Sequence, residues 1–161
     1  MATDVTSIRR EDVRPIPAKA VSVLKRFMHV MTRVHVWIHT VSKGRIGKTF
    51  AGAPCCMVIM TGRKTGKKRS IPLIYIPHGE EVILIASQGG MDIHPVWYRN
   101  LLSEPNVEII AEGRTRKMIA RQANDAEKAA RWPVALAVYA DFDQYQARTD
   151  RDIPLMICTP A

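Results

Sequence analysis

The sequence predicts an α+β domain, in which a mostly antiparallel β-sheet closes into a small barrel and an amphipathic helix precedes the sheet. Three observations predict this fold. Beyond residue 52 the apolar segments are short and separated by glycine-containing turns, which favours antiparallel neighbours. Residues 18–42 carry apolar side chains at steps of three and four, the period of a helix. The 161 residues, 47% of them hydrophobic, suffice for one packed domain.

Composition limits the class of protein. Twenty-four Lys and Arg against 15 Asp and Glu give a net charge of +9, so the surface attracts anions: nucleic acid, acidic lipid or a phosphorylated small molecule. The three cysteines fit neither a disulfide framework nor a zinc motif. Residues 1–17 lack the apolar core of a signal peptide. We therefore expect a reduced, cytoplasmic protein without a metal site.

The N-terminal region divides into two parts. Residues 1–17 are polar and are predicted to form a flexible arm. Residues 18–42 form the predicted helix, with basic side chains largely off its apolar stripe. Such a helix either packs on the core or lies on an anionic membrane surface, and the pattern leaves both open. Residues 18–161, helix included, are predicted to be a single domain.

The remaining elements follow from turn and capping signals. A short helix is expected from His94-Pro95 to Leu102. Asn124 and Glu127 have the spacing of a capping box, which begins a helix running towards Tyr139. Trp132-Pro133 is expected to kink or divide that helix. Pro72 predicts an edge or bulged strand. Strands are expected at 55–61, 70–76, 81–87, 106–111, 115–121 and 153–158.

The strongest local motif is the turn between the first two of these strands. Residues 61–70 read Thr-Gly-Arg-Lys-Thr-Gly-Lys-Lys-Arg-Ser. Glycines let a backbone approach an anion, and cations and hydroxyls then bind phosphate oxygens. The spacing is not that of a P-loop. From the residues alone, a phosphate site and a solvated basic turn are equally good interpretations.

No catalytic motif accompanies this turn. His35 and His39 stand four apart but lack the other ligands that a metal requires. Cys55 and Cys56 are expected on opposite faces of a strand, at least one of them in the core. Ser87 follows an apolar strand without a nucleophile-elbow motif. We therefore expect any enzyme chemistry to come from a cofactor.

Taken together, the motifs from Gly52 to the C-terminus match a known pattern. They are Thr-Gly-Arg-Lys-Thr-Gly-Lys-x-Arg at 61–69, Pro72-Leu73, Ala86-Ser87-x-Gly89-Gly90, His94-Pro95-x-Trp97-Tyr98-x-Asn100-Leu101, Trp132-Pro133, Tyr139, Asp143-x-Tyr145-Gln146-x-x-Thr149 and Ile153-Pro154. This series resembles the deazaflavin-dependent nitroreductase family of actinobacteria, which includes quinone-reductase-like members.

The resemblance implies a split β-barrel, a fold related to flavin-mononucleotide-binding barrels, and coenzyme F420, a 5-deazaflavin with a phosphate and a polyglutamate tail. Phosphate and tail contacts would be Arg63, Lys64, Thr65 and Arg69. The deazaflavin would lie against Ser70, Ile71, Pro72, Leu73, Ile74, Ile85, Ala86, Ser87 and Gln88, under Val96, Trp97, Tyr98, Arg99 and Asn100. The substrate pocket would comprise Ile74, Tyr139, Phe142 and Tyr145.

The activity implied is hydride transfer from the reduced coenzyme to a flat electrophile: a quinone, an activated enone or lactone, or a nitro-aromatic compound. Ser87, Tyr139, Tyr145 or solvent would supply the proton. Ile74 and Phe142 stand where nitroimidazole-reducing members often have tyrosine, so we expect quinones or enones to be preferred. Gln88 stands where lysine is common.

Two alternatives belong to other classes. A flavin-mononucleotide oxidoreductase would use the same kind of barrel. A basic nucleic-acid-binding module is disfavoured because aromatic residues make up only 6% of the chain and are not interleaved with the basic turn as a stacking surface requires. The expected partners are therefore a small-molecule substrate and an anionic membrane surface, with no nucleic acid.

Overall fold

The computed structural model describes residues 49–50 and 52–161. The predicted arm at 1–17 and helix at 18–42 lie outside this part. The described elements, in chain order, are β1 (Thr49–Phe50), β2 (Ala53–Thr61), β3 (Lys68–Ile74), β4 (Ile76–His78), β5 (Glu81–Ile85), α1 (Val96–Ser103), β6 (Asn106–Ala111), β7 (Arg114–Gln122), α2 (Asp125–Val138), α3 (Asp141–Ala147) and β8 (Leu155–Pro160). This confirms the prediction of an α+β fold.

The strands form one antiparallel sheet of eight, in the order β1-β2-β6-β7-β8-β5-β4. Strand β3 pairs with β2, on the opposite edge from β6. Only Tyr75 separates β3 from β4 in the chain, although the two strands border opposite ends of the sheet. Two strands that follow each other in the chain thus lie at opposite ends of the described sheet. The position of β3 at an edge agrees with the prediction from Pro72.

Two apolar clusters lie on opposite faces of the sheet because side chains alternate along each strand. On β5 and β8, Val82, Leu84, Met156 and Cys158 face an inner cluster, which also contains the buried side of α1. The alternate residues face an outer cluster covered by α2 and α3. The outer cluster consists of Ile76, Ile83, Ile85, Ala123, Ala135, Phe142, Ile153, Leu155 and Ile157, with partly buried neighbours that include Ile74, Tyr139 and Tyr145.

The structure corrects the last predicted helix. Helix α2 continues through Pro133, whose exposed position leaves the backbone around it open to water. The break falls instead at Tyr139, where φ is −151°, and a separate helix α3 follows. The capping box is confirmed: the Asn124 side chain accepts from the Glu127 amide at 2.9 Å, and Glu127 Oε2 accepts from the Asn124 amide at 3.0 Å.

Strand ends also differ from the expectations. The predicted strand 70–76 is interrupted at Tyr75, whose amide bonds to the Pro54 carbonyl at 2.8 Å. The last strand begins at Leu155, two residues late. Ile153 donates its amide to the Gln146 side chain at 2.9 Å, and Pro154 has no amide hydrogen to contribute to a ladder.

Candidate functional site

The basic turn between β2 and β3 is closed by its own backbone and docked on α1. The Gly62 amide donates to the Lys67 carbonyl at 2.8 Å, and the Gly66 amide donates to the Gly62 carbonyl at 2.8 Å. The Arg63 amide donates to Oδ1 of Asn100 at 3.2 Å, and Asn100 is only 5% exposed. The backbone of the turn is thus fixed, while the side chains of Arg63, Lys64, Thr65 and Arg69 remain exposed.

These exposed side chains supply donors for an anion. Lys68 forms an ion pair with Glu108 at 2.9 Å. Within residues 49–50 and 52–161, no carboxylate forms an ion pair with Arg63, Lys64 or Arg69. An open groove beside the turn is lined by Arg63, Arg99, Leu102 and Ser103. Guanidinium and ammonium groups in this arrangement suit phosphate and carboxylate oxygens.

Strand β3 leads away from the turn. Its seven residues span about 20 Å. Among the described strands it pairs with β2 alone, so within that part of the chain its other edge has backbone donors and acceptors outside any ladder. Ile71 and Leu73 pack on the inner cluster, whereas Ile74 packs on the outer one. The strand therefore has the cationic turn at one end and, at the other, a residue that packs on the outer cluster, to which Phe142 also belongs.

All four predicted substrate-pocket residues belong to the outer cluster or pack against it, and three of them are in mutual contact. The hydroxyls of Tyr139 and Tyr145 lie 3.0 Å apart. The Phe142 ring lies edge-on to both, at centroid distances of 5.2 Å and 6.3 Å, and is 2% exposed. Burial first, and then the hydrogen bond with Tyr145, raise the pKa of Tyr139, so this phenol keeps its proton at neutral pH.

The segment after β5 passes beside this aromatic group. Gln88, Gly89 and Gly90 have φ values of +48°, +66° and +79°, three successive left-handed residues. Gly90 is in contact with α3: a Cβ there would lie 2.6 Å from the Tyr145 carbonyl oxygen. Ser87 is half-buried, and its carbonyl accepts from the Gly90 amide at 3.0 Å. Ser87 and Gln88 thus lie on a tight turn next to Tyr145.

The other residues predicted to contact a coenzyme differ in exposure. Val96 and Arg99 are exposed on α1, beside the turn. The rings of Trp97 and Tyr98 lie in the inner cluster, and the Tyr98 hydroxyl donates to Gln122 at 2.7 Å. Ala86 and Ile85 are also buried. The assignment of all these residues as coenzyme contacts stays a prediction. The buried side chains among them would need some of their surface to be reachable by the coenzyme.

The sequence analysis did not predict that Arg151 and Thr149 would bind the segment that follows β5. Arg151 donates to the carbonyls of Ala86, Ser87 and Met91, and the Thr149 hydroxyl donates to Asp92 at 2.7 Å. The partners of Arg151 are backbone atoms about 60 residues away in the chain, so no local pattern announces them. Thr149 belongs to the series of motifs that carries the family resemblance, but the series assigns it no role.

All three cysteines are buried, which confirms the prediction that at least one of Cys55 and Cys56 lies in the core. Burial raises the pKa of Cys55 to about 11 and of Cys158 to about 12, and raises the pKa of Cys56 as well. None of the three is therefore a ready thiolate. Among the described residues no group of His, Cys, Asp and Glu side chains is suited to a metal ion. In the same part of the chain, no helix has the length and hydropathy needed to cross a membrane. His35 and His39 lie outside it.

His94 gives a prediction of pH dependence. Its ring packs on Tyr98 with centroids 5.0 Å apart, and its Nδ1 lies 3.4 Å from Arg151 Nη1. Burial first, and then Arg151 and Arg99, lower the pKa of His94 below 6.5. The unfolded chain therefore takes up this proton before the folded protein does, so the stabilisation is present above pH 6.5 and is lost as the pH falls through the lowered value.

We accordingly expect the wild-type protein to lose more unfolding free energy than His94→Gln when the pH is lowered from about 7.5 to about 5. Urea unfolding of both proteins at the two pH values measures this difference. Equal losses in the two proteins would show that His94 does not contribute.

Comparisons with known proteins give matches that cover most of the chain, including the turn, β3 and the aromatic residues described above. A family model described as F420H(2)-dependent quinone reductase matches residues 31–160. An F420H(2)-dependent quinone reductase of Mycobacterium tuberculosis is 34% identical over 133 residues, covering 80% of this chain and 89% of that protein.

Solved structures agree. The structure of an F420-H2-dependent reductase, FDR-A, has a TM-score of 0.62 and 33% identity, covering 65% of this chain and 93% of that one. A chain described as a domain-swapped dimer has a TM-score of 0.64 and 26% identity, covering 88% and 99%. With the family model matching most of the chain, these findings show that the protein belongs to the F420H(2)-dependent quinone reductase family.

Proposed function

We propose that this protein reduces quinones with reduced coenzyme F420, on a sheet closed as a split β-barrel. The observation that carries the proposal is the order along β3: the cationic turn precedes the strand, and Ile74 at its far end packs on the outer cluster, as Tyr139 and Tyr145 also do. The coenzyme has a matching order of parts, with a flat ring at one end and a phosphate and carboxylates at the other. The donor set of the turn and the apolar character of the cluster thus both fit the group.

When bound, the reduced coenzyme supplies a hydride. The chain's contribution is to bind and to orient. Arg63, Lys64, Thr65 and Arg69 would hold the phosphate and the acidic tail, and the edge of β3 that no described strand covers would offer hydrogen bonds along the strand. Ile74 would give apolar surface for flat rings, and the buried ring of Phe142 packs against Tyr139 and Tyr145 and helps to keep water from the place of transfer.

The paired phenols supply the proton. The Tyr139 and Tyr145 hydroxyls are 3.0 Å apart, so when one gives its proton to the reduced substrate, the other stabilises the remaining oxygen by donating to it. The raised pKa of Tyr139 favours Tyr139 as the hydroxyl that keeps its proton and donates the hydrogen bond. Ser87, on the neighbouring turn, is the further candidate donor.

The substrate class follows from the same cluster. Ile74 and Phe142 provide no hydroxyl where nitroimidazole-reducing members often have one, and an apolar surface accepts a flat quinone or lactone ring by burial while bonding a nitro group poorly. We therefore propose quinones as the main substrates, with activated enones as a second group that reacts in the same way, ahead of nitro-aromatic compounds.

A binding titration with oxidised coenzyme F420 beside flavin mononucleotide tests the proposal, followed by steady-state reduction of a naphthoquinone, a coumarin-type lactone and a bicyclic nitroimidazole. We expect the deazaflavin coenzyme to bind and the naphthoquinone to be reduced fastest. Tight binding of flavin mononucleotide without binding of the deazaflavin would make the protein a flavin enzyme instead. Faster reduction of the nitroimidazole would refute the argument from the missing hydroxyls.

The sequence of residues 18–42 also supports peripheral membrane binding, since its apolar stripe is flanked by basic residues. We expect the full chain to float with vesicles that contain anionic phospholipid, and not with neutral vesicles. A variant with Lys25, Arg26 and Arg33 changed to Gln should float less. Equal flotation of both proteins, or none with anionic vesicles, would contradict this role.

A further inference from the structure

Arg151 binds both ends of the segment that follows β5, which we call the 86–91 loop. Its Nη2 donates to the carbonyl of Ala86 at 3.1 Å and to that of Ser87 at 2.6 Å. Its Nε donates to the carbonyl of Met91 at 2.7 Å. A guanidinium carries donors on several sides of one rigid plane, so a single side chain reaches both ends of the loop.

The loop needs such support because it is strained. Gln88 has a φ of +48° between αR-like Ser87, at φ −68°, and left-handed Gly89, at +66°. The left-handed conformation is unfavourable for a residue with a side chain, because its Cβ comes too close to the following carbonyl oxygen. A backbone conformation of this kind persists where the surroundings hold it in place, and such sites are often functional.

Arg151 is itself fixed to α3. The Gln146 side chain donates to the Arg151 carbonyl at 2.9 Å and accepts from the Ile153 amide at 2.9 Å, so both sides of Arg151 are bound by one amide group. Gln146 is adjacent to Tyr145 in α3. A continuous set of hydrogen bonds therefore runs from α3, the helix that carries Tyr145, through Arg151 to the 86–91 loop.

A side chain that only filled space at position 151 would not need a guanidinium group. The guanidinium is partly removed from water, which lowers the pKa of Arg151 although Asp92 and Asp152 oppose this effect. A charged group is costly to bury, whereas an apolar side chain would fill the same space without that cost. What the guanidinium adds is the fixed position of three carbonyls, and hence the direction of Ser87 and Gln88.

We propose that Arg151 is a positioning residue, which holds the 86–91 loop in the conformation that receives the deazaflavin ring. This inference rests on the proposed function, because Ser87 and Gln88 are assigned there as coenzyme contacts. The conformation of the loop is set by the protein before the coenzyme binds, so its effect is measurable with and without coenzyme.

The experiment compares Arg151→Ala and Arg151→Lys with the control Arg131→Ala. Arg131 also has a bidentate contact: it donates to Glu81 Oε2 from Nε at 3.1 Å and to Glu81 Oε1 from Nη2 at 3.3 Å. This contact is at the opposite end of β5 from the loop. Hydrogen exchange without coenzyme reports on the loop. Fluorescence titration gives the affinity for oxidised coenzyme F420, and single-turnover oxidation at saturating coenzyme gives the transfer rate.

For Arg151→Ala we expect faster exchange confined to residues 86–94, about tenfold weaker coenzyme binding and transfer slower by one to two orders of magnitude, because small misplacement of reacting groups is costly. Arg151→Lys should be intermediate, since one nitrogen cannot reach both ends of the loop. Added guanidinium ion should partly restore the Arg151→Ala rate, and Arg131→Ala should change none of these readouts.

Unchanged exchange and affinity in both Arg151 variants would overturn the role of Arg151. If the wild-type protein binds no deazaflavin coenzyme, the proposed function fails, and with it the claim that the loop receives that ring. The exchange data then still show separately whether Arg151 fixes the loop.

Discussion

Replacing Gly90 by alanine should destabilise the protein more than any other single-glycine substitution in the part described. Gly90 has a φ of +79°, and a Cβ there would lie 2.6 Å from the Tyr145 carbonyl oxygen and 2.9 Å from the Arg148 Cβ. The left-handed conformation costs about 1–2 kcal/mol, and overlap with packed atoms adds about 1–3 kcal/mol. We therefore expect a loss of about 2–5 kcal/mol.

Gly89→Ala is the matched control. Gly89 has a φ of +66°, and a Cβ there would have nothing within 4 Å, so this variant carries the conformational cost of about 1–2 kcal/mol alone. Urea unfolding gives both losses, and the difference between them measures the contact of the 86–91 loop with α3. Equal stability of the two variants would show that the loop and α3 do not pack so closely.

The consequence for binding is separable from stability. Because the obstacle is backbone of α3, Gly90→Ala must push the 86–91 loop away from Tyr145. Coenzyme titration at low temperature, where the variant is still folded, should then show weaker binding than for Gly89→Ala. Weaker binding by a fully folded variant would show that Gly90→Ala changes the geometry of the site and does not merely reduce the fraction of folded protein.

The strand pattern was predictable from sequence because it depends on local signals. The Glu112-Gly113 turn and the alternation of β6 and β7 specify their hairpin without reference to the rest of the chain, and the Asn124–Glu127 box specifies the start of α2. The end of α2 was not predictable in this way. Pro133 is a strong local signal for a break, but the helix continues because its surface position tolerates the lost hydrogen bond, and the break occurs at Tyr139.

The site was predictable only in part, for a similar reason. Arg63, Lys64 and Arg69 form one continuous motif, so their presence together on a turn follows from the sequence. The approach of Tyr145 to Gly90 depends on how α3 packs on the 86–91 loop, and no spacing in the chain encodes that distance. The carbonyl partners of Arg151 are invisible to any reading of side-chain types, because every residue has a carbonyl.

The second large effect concerns the basic turn. We expect Arg63→Ala/Lys64→Ala to weaken binding of oxidised coenzyme F420 about 30-fold, if each exposed cation contributes about 1 kcal/mol towards the phosphate and tail. The fold of the turn should survive, because Arg63 contacts Asn100 through its backbone amide, which alanine retains. Arg114→Ala/Lys117→Ala on β7 removes the same charge from exposed positions elsewhere and controls for the net charge of the protein.

Two further measurements separate direct contact from general attraction. The loss in Arg63→Ala/Lys64→Ala should shrink as salt is added, because screening weakens the wild-type contacts that the variant lacks. The deazaflavin riboside, which has neither phosphate nor tail, should bind the variant and the wild-type protein equally, since its ring reaches only the other end of β3. If the riboside loses as much affinity as the whole coenzyme, the turn does not bind the phosphate and the orientation proposed along β3 is wrong. If the Arg114→Ala/Lys117→Ala control is weakened to the same degree, the cations act through the overall field of the protein and not at a defined site.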